Sequence, residues 1–392
     1  MVFGRQKIKY SPIAIDFGSD SLKMLQVIPR DRPEVVASAL FAIPDGVRQN
    51  PGERLAFLEG AVRQGLKEQP FYGKKVMCSL PAYQTLTQNL ELSKCHDDAA
   101  YLEEIHQELI EKFSVDPSRM VIRWYPMTQL VRDGASKQEV LCMAAGEEIV
   151  MGYLDLAKNC KMEVVGIHAE QFAMVKSFGY LFRRESDREA MAANMYIDLG
   201  GATTKVTVTH CTDVAFAKTI HLGGNHLTLA YAKKRGLSFA DAREERILLA
   251  KGKQISAGVV AEPAPLAVGE RRDESHAVSG LNQLGMTEVK GEVEEDTLDM
   301  IVDELQMCVR FHQHLYPEKS IEKLIFLGGE SQHMSTCHKI AKTLRIKAQL
   351  GDPLARLDVD SLDRLPEKLG RDRSEPSWAV VMGLCLSEAN LG

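Results

Sequence analysis

At 392 residues, and with roughly 150 residues to a domain, the chain is long enough for two or three structural units and a sizeable core. Charged residues make up 26% and apolar residues 45%, proportions that exclude both a disordered chain and an integral membrane protein. The 48 Lys and Arg against 54 Asp and Glu give a net charge of −6 with no long basic tract, which excludes a nucleic acid polymer as the main partner.

In chain order, short apolar runs alternate with helical periodicities, which predicts an α/β fold. Ile13 to Phe17 and Leu22 to Ile28 predict a hairpin around Gly18-Ser19-Asp20-Ser21, and Glu34 to Ile43 a third strand. Leu55, Leu58, Val62 and Leu66 recur at helical spacing between Glu53 and Lys67, and Lys74 to Leu80 and Gln84 to Leu92 look extended. Asp97-Asp98 caps a helix to about Phe113, with Leu102, Ile105, Leu109 and Ile110 on one face and glutamates on a solvated one. Met120 to Val131 and Glu139 to Ala145 flank a turn at Asp133-Gly134, and a helix runs from about Glu147 to Cys160. Residues 70–165 thus predict a compact α+β insertion. Ser238 to Lys251 and Thr297 to His312 are helical by period, and Gly252 to Gly291, with Pro263, Pro265 and no period, reads as a long mobile spacer.

Other features bound the function by exclusion. The longest near-continuous apolar run, Trp378 to Leu386, is about half of what a bilayer span needs. Met1 to Tyr10 is polar and basic with no apolar segment after it, so neither a cleavable signal nor an own membrane anchor is expected. Eight scattered cysteines without a C-x-x-C pair read as reduced thiols of a cytosolic protein. His312 and His314 lie two apart on a helix and face different ways, and His221 and His226 have no Cys or carboxylate at ligand spacing, so the histidines read as ordinary core or surface residues.

The chemistry sits in an internal repeat. Ile15-Asp16-Phe17-Gly18-Ser19-Asp20-Ser21-Leu22-Lys23 lies on Ile197-Asp198-Leu199-Gly200-Gly201-Ala202-Thr203-Thr204-Lys205, with Ile, Asp, Gly and Lys repeating at an offset of 182. Glycine lets backbone approach a phosphate, successive amides make an anion-binding nest, and Ser or Thr hydroxyls add donors. An Asp at the strand end can hold Mg2+ or orient a water. A lysine two residues past the hydroxyl turn, as Lys23 is, can reach a β-phosphate. One D-x-G is an ordinary hairpin turn; two aligned copies facing each other would clamp a polyphosphate between two lobes. Two glycine pairs add to this. Leu222-Gly223-Gly224-Asn225 and Ile325-Phe326-Leu327-Gly328-Gly329-Glu330 each follow a strand and open a helix, the second capped by Ser331 and running to Leu344.

The order of hairpin, insertion, second hairpin, GG helix and late LGG resembles the actin, heat-shock chaperone and sugar-kinase superfamily. Within it the sequence most resembles the PilM family of type IV pilus assembly proteins, and next the division protein family FtsA. The resemblance rests on Lys75-Val-Met-Cys-Ser-Leu-Pro-Ala82 with Leu90-Glu91-Leu92, and on Val164-Val165-Gly-Ile-His-Ala-Glu170-Gln-Phe-Ala173. It continues through Leu222 to Leu229 and Gly236 to Ala242, through Lys323-Leu-Ile-Phe-Leu-Gly-Gly329 with Gly351-Asp352-Pro353-Leu354, and through Trp378-Ala-Val-Val-Met-Gly-Leu384. It implies an actin-like, ribonuclease H-like duplicated fold of two lobes. Residues 1–69 and 166–190 would belong to the first lobe, 70–165 to an FtsA-type inserted subdomain, 191–375 to the second lobe with a mobile loop at 252–291, and 376–392 to a C-terminal helix closing on the first.

The resemblance further implies ATP and Mg2+ as cofactors. Asp16, Gly18, Ser19 and Lys23 would form the first phosphate loop and Asp198, Gly200, Gly201, Thr203 and Thr204 the second. Gly223, Gly224, Glu244, Arg246, Gly328 and Gly329 would line the rest of the pocket, Asp16 and Asp198 would hold the metal, and Asp198, Asp16 and Glu170 are the catalytic candidates. Glu170, at a strand–helix junction, can equally orient water or cap. Asp20 and Gly201 depart from the superfamily pattern, which keeps a small uncharged residue at the first place and, in actin, an acid at the second; Glu245 stands at an apolar position. These departures point to ATP binding with slow or absent hydrolysis. The implied function is a cytoplasmic adaptor of the type IV pilus, or a related type II secretion, inner-membrane platform. It would sit at the inner face of the membrane through its partners, a PilN-like protein's N-terminal segment and other platform or motor components. The partner groove is expected between the first lobe and the insertion, at Leu80 to Leu92 and the helix from Ala99. A sugar or carboxylate kinase and an FtsA-like filament protein are the alternatives, and self-assembly into a homo-oligomer or filament stays open.

Overall fold

A computed structural model describes residues 8–48, 50–94, 97–132, 134–179, 193–258, 295–366 and 374–389. Strands β1 (Ile13–Phe17), β2 (Ser21–Ile28) and β3 (Glu34–Ala42) form an antiparallel meander. Helices α1 (Asp45–Arg48) and α2 (Pro51–Glu68) follow, the latter started by Asn50, whose side chain accepts from the Gly52 and Glu53 amides, and by Pro51 in its first turn. Strand β4 (Lys75–Leu80) then pairs parallel with β1.

A separate antiparallel sheet comes next: β5 (Thr85–Ser93), then α3 (Asp98–Phe113), β6 (Met120–Arg132) and β7 (Ala135–Gly146), in the order β5-β7-β6. Helix α4 (Glu147–Asn159), strand β8 (Glu163–Ala169) and helix α5 (Glu170–Lys176) return the chain to the first sheet, whose order is β3-β2-β1-β4-β8. The 70–165 boundaries of the insertion therefore contract in the structure. Strand β4 and helix α4 bury their apolar residues with β1 and α2, in a core that includes Ile15, Leu58, Val76, Tyr153 and Leu156. Of the stripe expected on α3, Ile105 and Leu109 pack on β5 and β7, whereas Leu102 and Ile110 are exposed.

The second half repeats the first. Strands β9 (Ala193–Leu199), β10 (Thr204–His210) and β11 (Asp213–Ile220) form a meander, followed by α6 (Gly224–Arg235), α7 (Phe239–Gly258) and α8 (Glu295–Leu315). Strand β12 (Ile321–Leu327), helix α9 (Met334–Leu344) and strand β13 (Lys347–Leu350) complete a sheet of order β11-β10-β9-β12-β13, the counterpart of the first with the same parallel and antiparallel pairings. Helix α7 continues to Gly258, through the start of the expected spacer; the rest of that spacer, from 259, lies outside the described residues.

Helix α10 (Ala379–Cys385) and α5 lie between the two sheets. Because side chains alternate along a strand, Ala14 and Tyr196 face this central layer while Ile13, Ile15, Met195 and Ile197 face outer cores built with α2 and α4 on one side and α8 and α9 on the other. The far face of the inserted sheet meets β11: Leu141 and Met143 pack on Ala217, and Asn89 Nδ2 donates to the Ala217 carbonyl at 2.8 Å. The insertion thus touches both lobes.

His210 at the end of β10 and buried His312 on α8 share a 2.9 Å Nε2–Nε2 hydrogen bond, and burial pulls both imidazoles down to about 4, with Lys319 adding to the effect. They are neutral core histidines at neutral pH. Among the described residues no group of three or more His, Cys, Asp or Glu side chains is arranged to hold a metal, and no helix is long and apolar enough to cross a membrane.

Candidate functional site

The antiparallel register of each hairpin sets Asp opposite Lys: Asp16 faces Lys23 across β1 and β2, and Asp198 faces Lys205 across β9 and β10. Directly opposed residues project from the same face of a sheet, so each hairpin carries an acid–base pair beside its turn. Lys23 Nζ stands 3.5 Å from Asp16 Oδ2 and Lys205 Nζ 2.8 Å from Asp198 Oδ2. Glu170, the first residue of α5, brings Oε2 to 2.5 Å from Lys205 Nζ, and Ser79 Oγ donates to Asp16 Oδ1 at 3.1 Å. These three carboxylates and two ammoniums are each less than a tenth exposed.

Burial pushes the Glu170 carboxyl up to about 7, against the pull of Lys205 and with Asp16 pushing the same way. Burial would lower Lys205, but Asp198 and Glu170 outweigh it and hold its ammonium above the ordinary lysine range.

The turns are built alike. A side chain on Gly18 would place its Cβ 2.9 Å from the Ser21 carbonyl oxygen, and one on Gly200 would meet the Thr203 carbonyl at the same distance, so both copies need glycine for one steric reason. Arg54, on the buried face of α2, donates to the Gly18 carbonyl at 2.7 Å and fixes the first turn from behind. The Ala202 amide donates to Ser19 Oγ at 3.2 Å, joining the two turns across the lobes. Gly328 has φ of +83°, and a Cβ there would fall 2.3 Å from Asp198 Oδ1; nothing lies within 4 Å of the Cβ position of Gly329, which opens on the cleft.

Between the lobes these elements line a cleft of about 710 Å³, the size of a small-molecule site. Of the residues expected from the sequence, Asp16, Gly18, Ser19, Lys23, Glu170, Asp198, Gly200, Gly201, Thr203, Gly224, Arg246, Gly328 and Gly329 line it. Thr204, Gly223 and Glu244 do not. Thr204 is buried with its hydroxyl donating to the Leu222 carbonyl. Gly223 lets α6 sit against the second turn, where the Gly224 and Asn225 amides donate to the Gly200 and Gly201 carbonyls at 2.9 and 2.8 Å; those amides are spent on the fold. Glu244 is exposed, because residues two apart on a helix point about 200° apart and Arg246 takes the inward position. Arg246 forms an ion pair with Glu330 and donates to Thr228 Oγ1 at 2.8 Å. Ser331 does not cap α9: its hydroxyl donates to the Gly328 carbonyl in a short 3-10 turn that separates the glycine pair from the helix, and His333 stands at the N-cap.

The sequence reading places Lys205 in the repeat without giving it a role in the site, and passes over Glu330, Arg243, Arg54 and Ser79 as site residues. The repeat itself marks Lys205, as the counterpart of Lys23, and Arg54 is a lone charge in an apolar stripe, four residues before Leu58 and seven before Ala61.

A family model for the type IV pilus assembly protein PilM matches residues 14–261, more than half of the chain. The chain belongs to the PilM family. A search of curated proteins by sequence finds no match. Among solved structures, a PilM-PilN type IV pilus biogenesis complex is 17% identical with a TM-score of 0.70, over 97% of this chain and 98% of that one. The ethanolamine utilization protein EutJ from Carboxydothermus hydrogenoformans is 11% identical with a TM-score of 0.53, over 97% and 90%. At these identities the likeness speaks for the fold: this PilM-family chain is a two-lobed actin-like α/β protein, and its cleft lies where the duplicated hairpins of the two lobes meet.

Proposed function

We propose that this PilM-family chain is a cytoplasmic ATP-binding adaptor of the inner-membrane platform that assembles type IV pili. In this reading the nucleotide is a structural element rather than a fuel, and the partner is the N-terminal cytoplasmic segment of a PilN-like membrane protein, through which the chain meets the membrane. The observation that carries the nucleotide reading is the pair of hairpins, each with a glycine turn, hydroxyls and a lysine, facing each other across one cleft.

Mg2+ is ordinarily held by one or two carboxylates together with a nucleotide's phosphates. Asp16 and Asp198 fit that role and no larger one, since each is already bound to its own lysine. When bound, the ion supplies counter-charge to the phosphates. Turnover is disfavoured because Glu170, the carboxylate placed to orient a water, is held by Lys205. Each carboxylate that lines the cleft, Asp16, Asp20, Glu170, Asp198 and Glu330, is in an ion pair, which leaves none free as the base a sugar kinase needs.

The test is nucleotide occupancy and thermal stabilisation of the purified protein with Mg-ATP. At a hundredfold excess over Kd the wild type should gain about 2.7 kcal/mol, and Asp198→Ala and Lys23→Ala should gain little. A wild type that neither retains nor is stabilised by Mg-ATP removes the reading.

For the partner, the structure offers a cavity of about 1030 Å³ where the insertion, the first lobe and the second lobe meet. It is walled by Tyr125 and Met127 of β6, Phe172 and Lys176 of α5, and Val214 of β11, rather than by β5 and α3 as the sequence suggested. Tyr125 is 41% exposed and packs on Phe172 with ring centroids 4.6 Å apart and the rings tilted by 37°, an aromatic anchor of the kind that dominates peptide binding. Tyr125→Ala is expected to weaken binding of a synthetic peptide of the partner's N-terminal residues by about thirtyfold, equivalent to ~2 kcal/mol. Unchanged affinity there, with loss on Leu102→Ala, would return the groove to α3.

A further inference from the structure

Asp20, one of the residues that depart from the superfamily pattern, is the centre of a charge network between the lobes. Its Oδ1 accepts from Asn225 Nδ2 of α6 at 3.0 Å and faces Arg48 Nη1 of α1 at 3.4 Å. Its Oδ2 accepts from Arg243 Nη2 of α7 at 3.2 Å. The second nitrogen of Arg243, Nη1, donates to Asp45 Oδ1 at 3.0 Å, and Asp45 pairs in turn with Arg48 at 2.9 Å. Asp20, Arg48, Asp45 and Arg243 thus close a ring of alternating sign.

Three members of this ring belong to the first lobe and Arg243 to the second, with Asn225 of the second lobe added at Asp20. Asp20, Asn225 and Arg243 line the cleft, while Arg48 and Asp45 lie outside its lining, so the ring crosses the rim. Gly201 completes the fit: a Cβ there would fall 2.3 Å from Asp20 Oδ2 and displace it.

We infer that this ring is a clasp holding the two lobes shut across the rim of the cleft, which opens only when Arg243 leaves both carboxylates. Isolated surface ion pairs contribute little. Here one planar guanidinium spans two carboxylates with separate nitrogens, and the side chains of the four members are only 14–42% exposed. Because the ring is partly solvated, salt screens it, and opening should accelerate with ionic strength. Its consequence for ligand exchange rests on the nucleotide reading above: a nucleotide in a clasped cleft leaves slowly, and faster in high salt.

The experiment uses the full chain at 50 and 500 mM NaCl, with hydrogen exchange of the amides of Gly18 to Ser21 and Ala202 to Asn225, and with release of a fluorescent ATP analogue chased by ATP. Arg243→Gln and Asp20→Asn should each speed exchange of these amides and release of the analogue about tenfold, and their rates should no longer respond to salt. Arg243→Lys, which keeps the charge but cannot bridge two carboxylates, should fall between them and the wild type. Thermal melts within a few degrees of wild type show that the variants are folded. If both neutral variants keep wild-type amide protection and salt response, the clasp is refuted, whatever the nucleotide does. If they loosen the amides while the wild type binds no nucleotide, the clasp stands and the nucleotide reading falls.

Discussion

Gly383→Ala is expected to destabilise the protein more than any other alanine substitution at a glycine of the fold. A Cβ built on Gly383 of α10 lies 1.6 Å from the carbonyl oxygen of Ala173 on α5. The Cβ is fixed by its own backbone and its partner is a backbone carbonyl, so no rotamer change can relieve the contact. The two helices form the layer between the sheets, with Trp378, Val381, Leu384, Ala173 and Met174 fully buried around them, and they can separate only by forcing the sheets apart. Overpacking usually costs 1–3 kcal/mol; with rigid partners on both sides, a loss of about 3 kcal/mol or more is expected, lowering Tm by roughly 4 °C or more for a chain of this length. Gly65→Ala is the control. Its Cβ would meet Met24 Sδ at 2.8 Å, the flexible part of a side chain that can shift, and the expected loss is about 1 kcal/mol. Calorimetry that finds Gly383→Ala within a degree of wild type would contradict the packing of α10 on α5.

The second large effect is Lys205→Met. The lysine is the shared cation of Asp198 and Glu170, and removing one member of a buried ionic group costs about 3–5 kcal/mol because the others stay buried and unpaired. The loss should depend on pH. A carboxyl whose pKa is raised by the fold, as that of Glu170 is to about 7, binds its proton more tightly in the native state than in the unfolded chain. The stability it contributes is therefore complete below about 4.3, the ordinary glutamate value, and is lost as pH rises through the folded pKa. Without Lys205 the only strong downward pull on Glu170 is gone, and its ionisation becomes costlier. The deficit of Lys205→Met against wild type should accordingly be smallest near pH 5 and widen toward pH 8. Adding Glu170→Gln should recover much of it at pH 8 and little at pH 5. A deficit that is flat with pH and unaffected by Glu170→Gln would show that the three groups do not share one ionic cluster.

Much of this cluster was legible as sequence, for a definite reason. Two hairpins of one pattern, offset by 182 residues, must place Asp and Lys in the same cross-strand register, and they do. The long helices were equally readable, since α3 and α8 carry clear apolar stripes and Asp97 caps α3 through its side chain. The limits of the insertion were not, because a fully buried strand such as β4 and a strand of a small separate sheet both read as short apolar runs. The glycine pair at 223 and 224 reads as a phosphate site, and only the folded chain shows the Gly224 and Asn225 amides turned onto the carbonyls of Gly200 and Gly201 and the Gly223 amide onto His226 Nδ1. Along α7, Ala242, Arg246 and Ala250 are buried and Glu244 is not; with Arg243 and Glu245 beside it, so charged a segment gives no apolar phase from which to tell which residue faces the cleft. The clasp was invisible for a different reason. Asp20 and Asp45 reach Arg243 across about 200 residues of chain, and nothing local in the sequence marks that pairing.

The layer between the sheets also bears on how the chain is made. The core around α5 gathers Leu25 and Met77 from the first sheet, Tyr196 and Ile325 from the second, and Val381 and Leu384 from α10 into one cluster. The duplication is thus symmetric in architecture but not in time. Half of a ribosome's product holds a complete five-stranded first sheet whose inner face is covered by α5 alone, and that face lacks its second helix until residue 385 has emerged. Each lobe contributes residues to this one core, so cutting the chain between them would expose it on both sides. The interval in which α5 lies bare is when this chain is open to aggregation or to a chaperone.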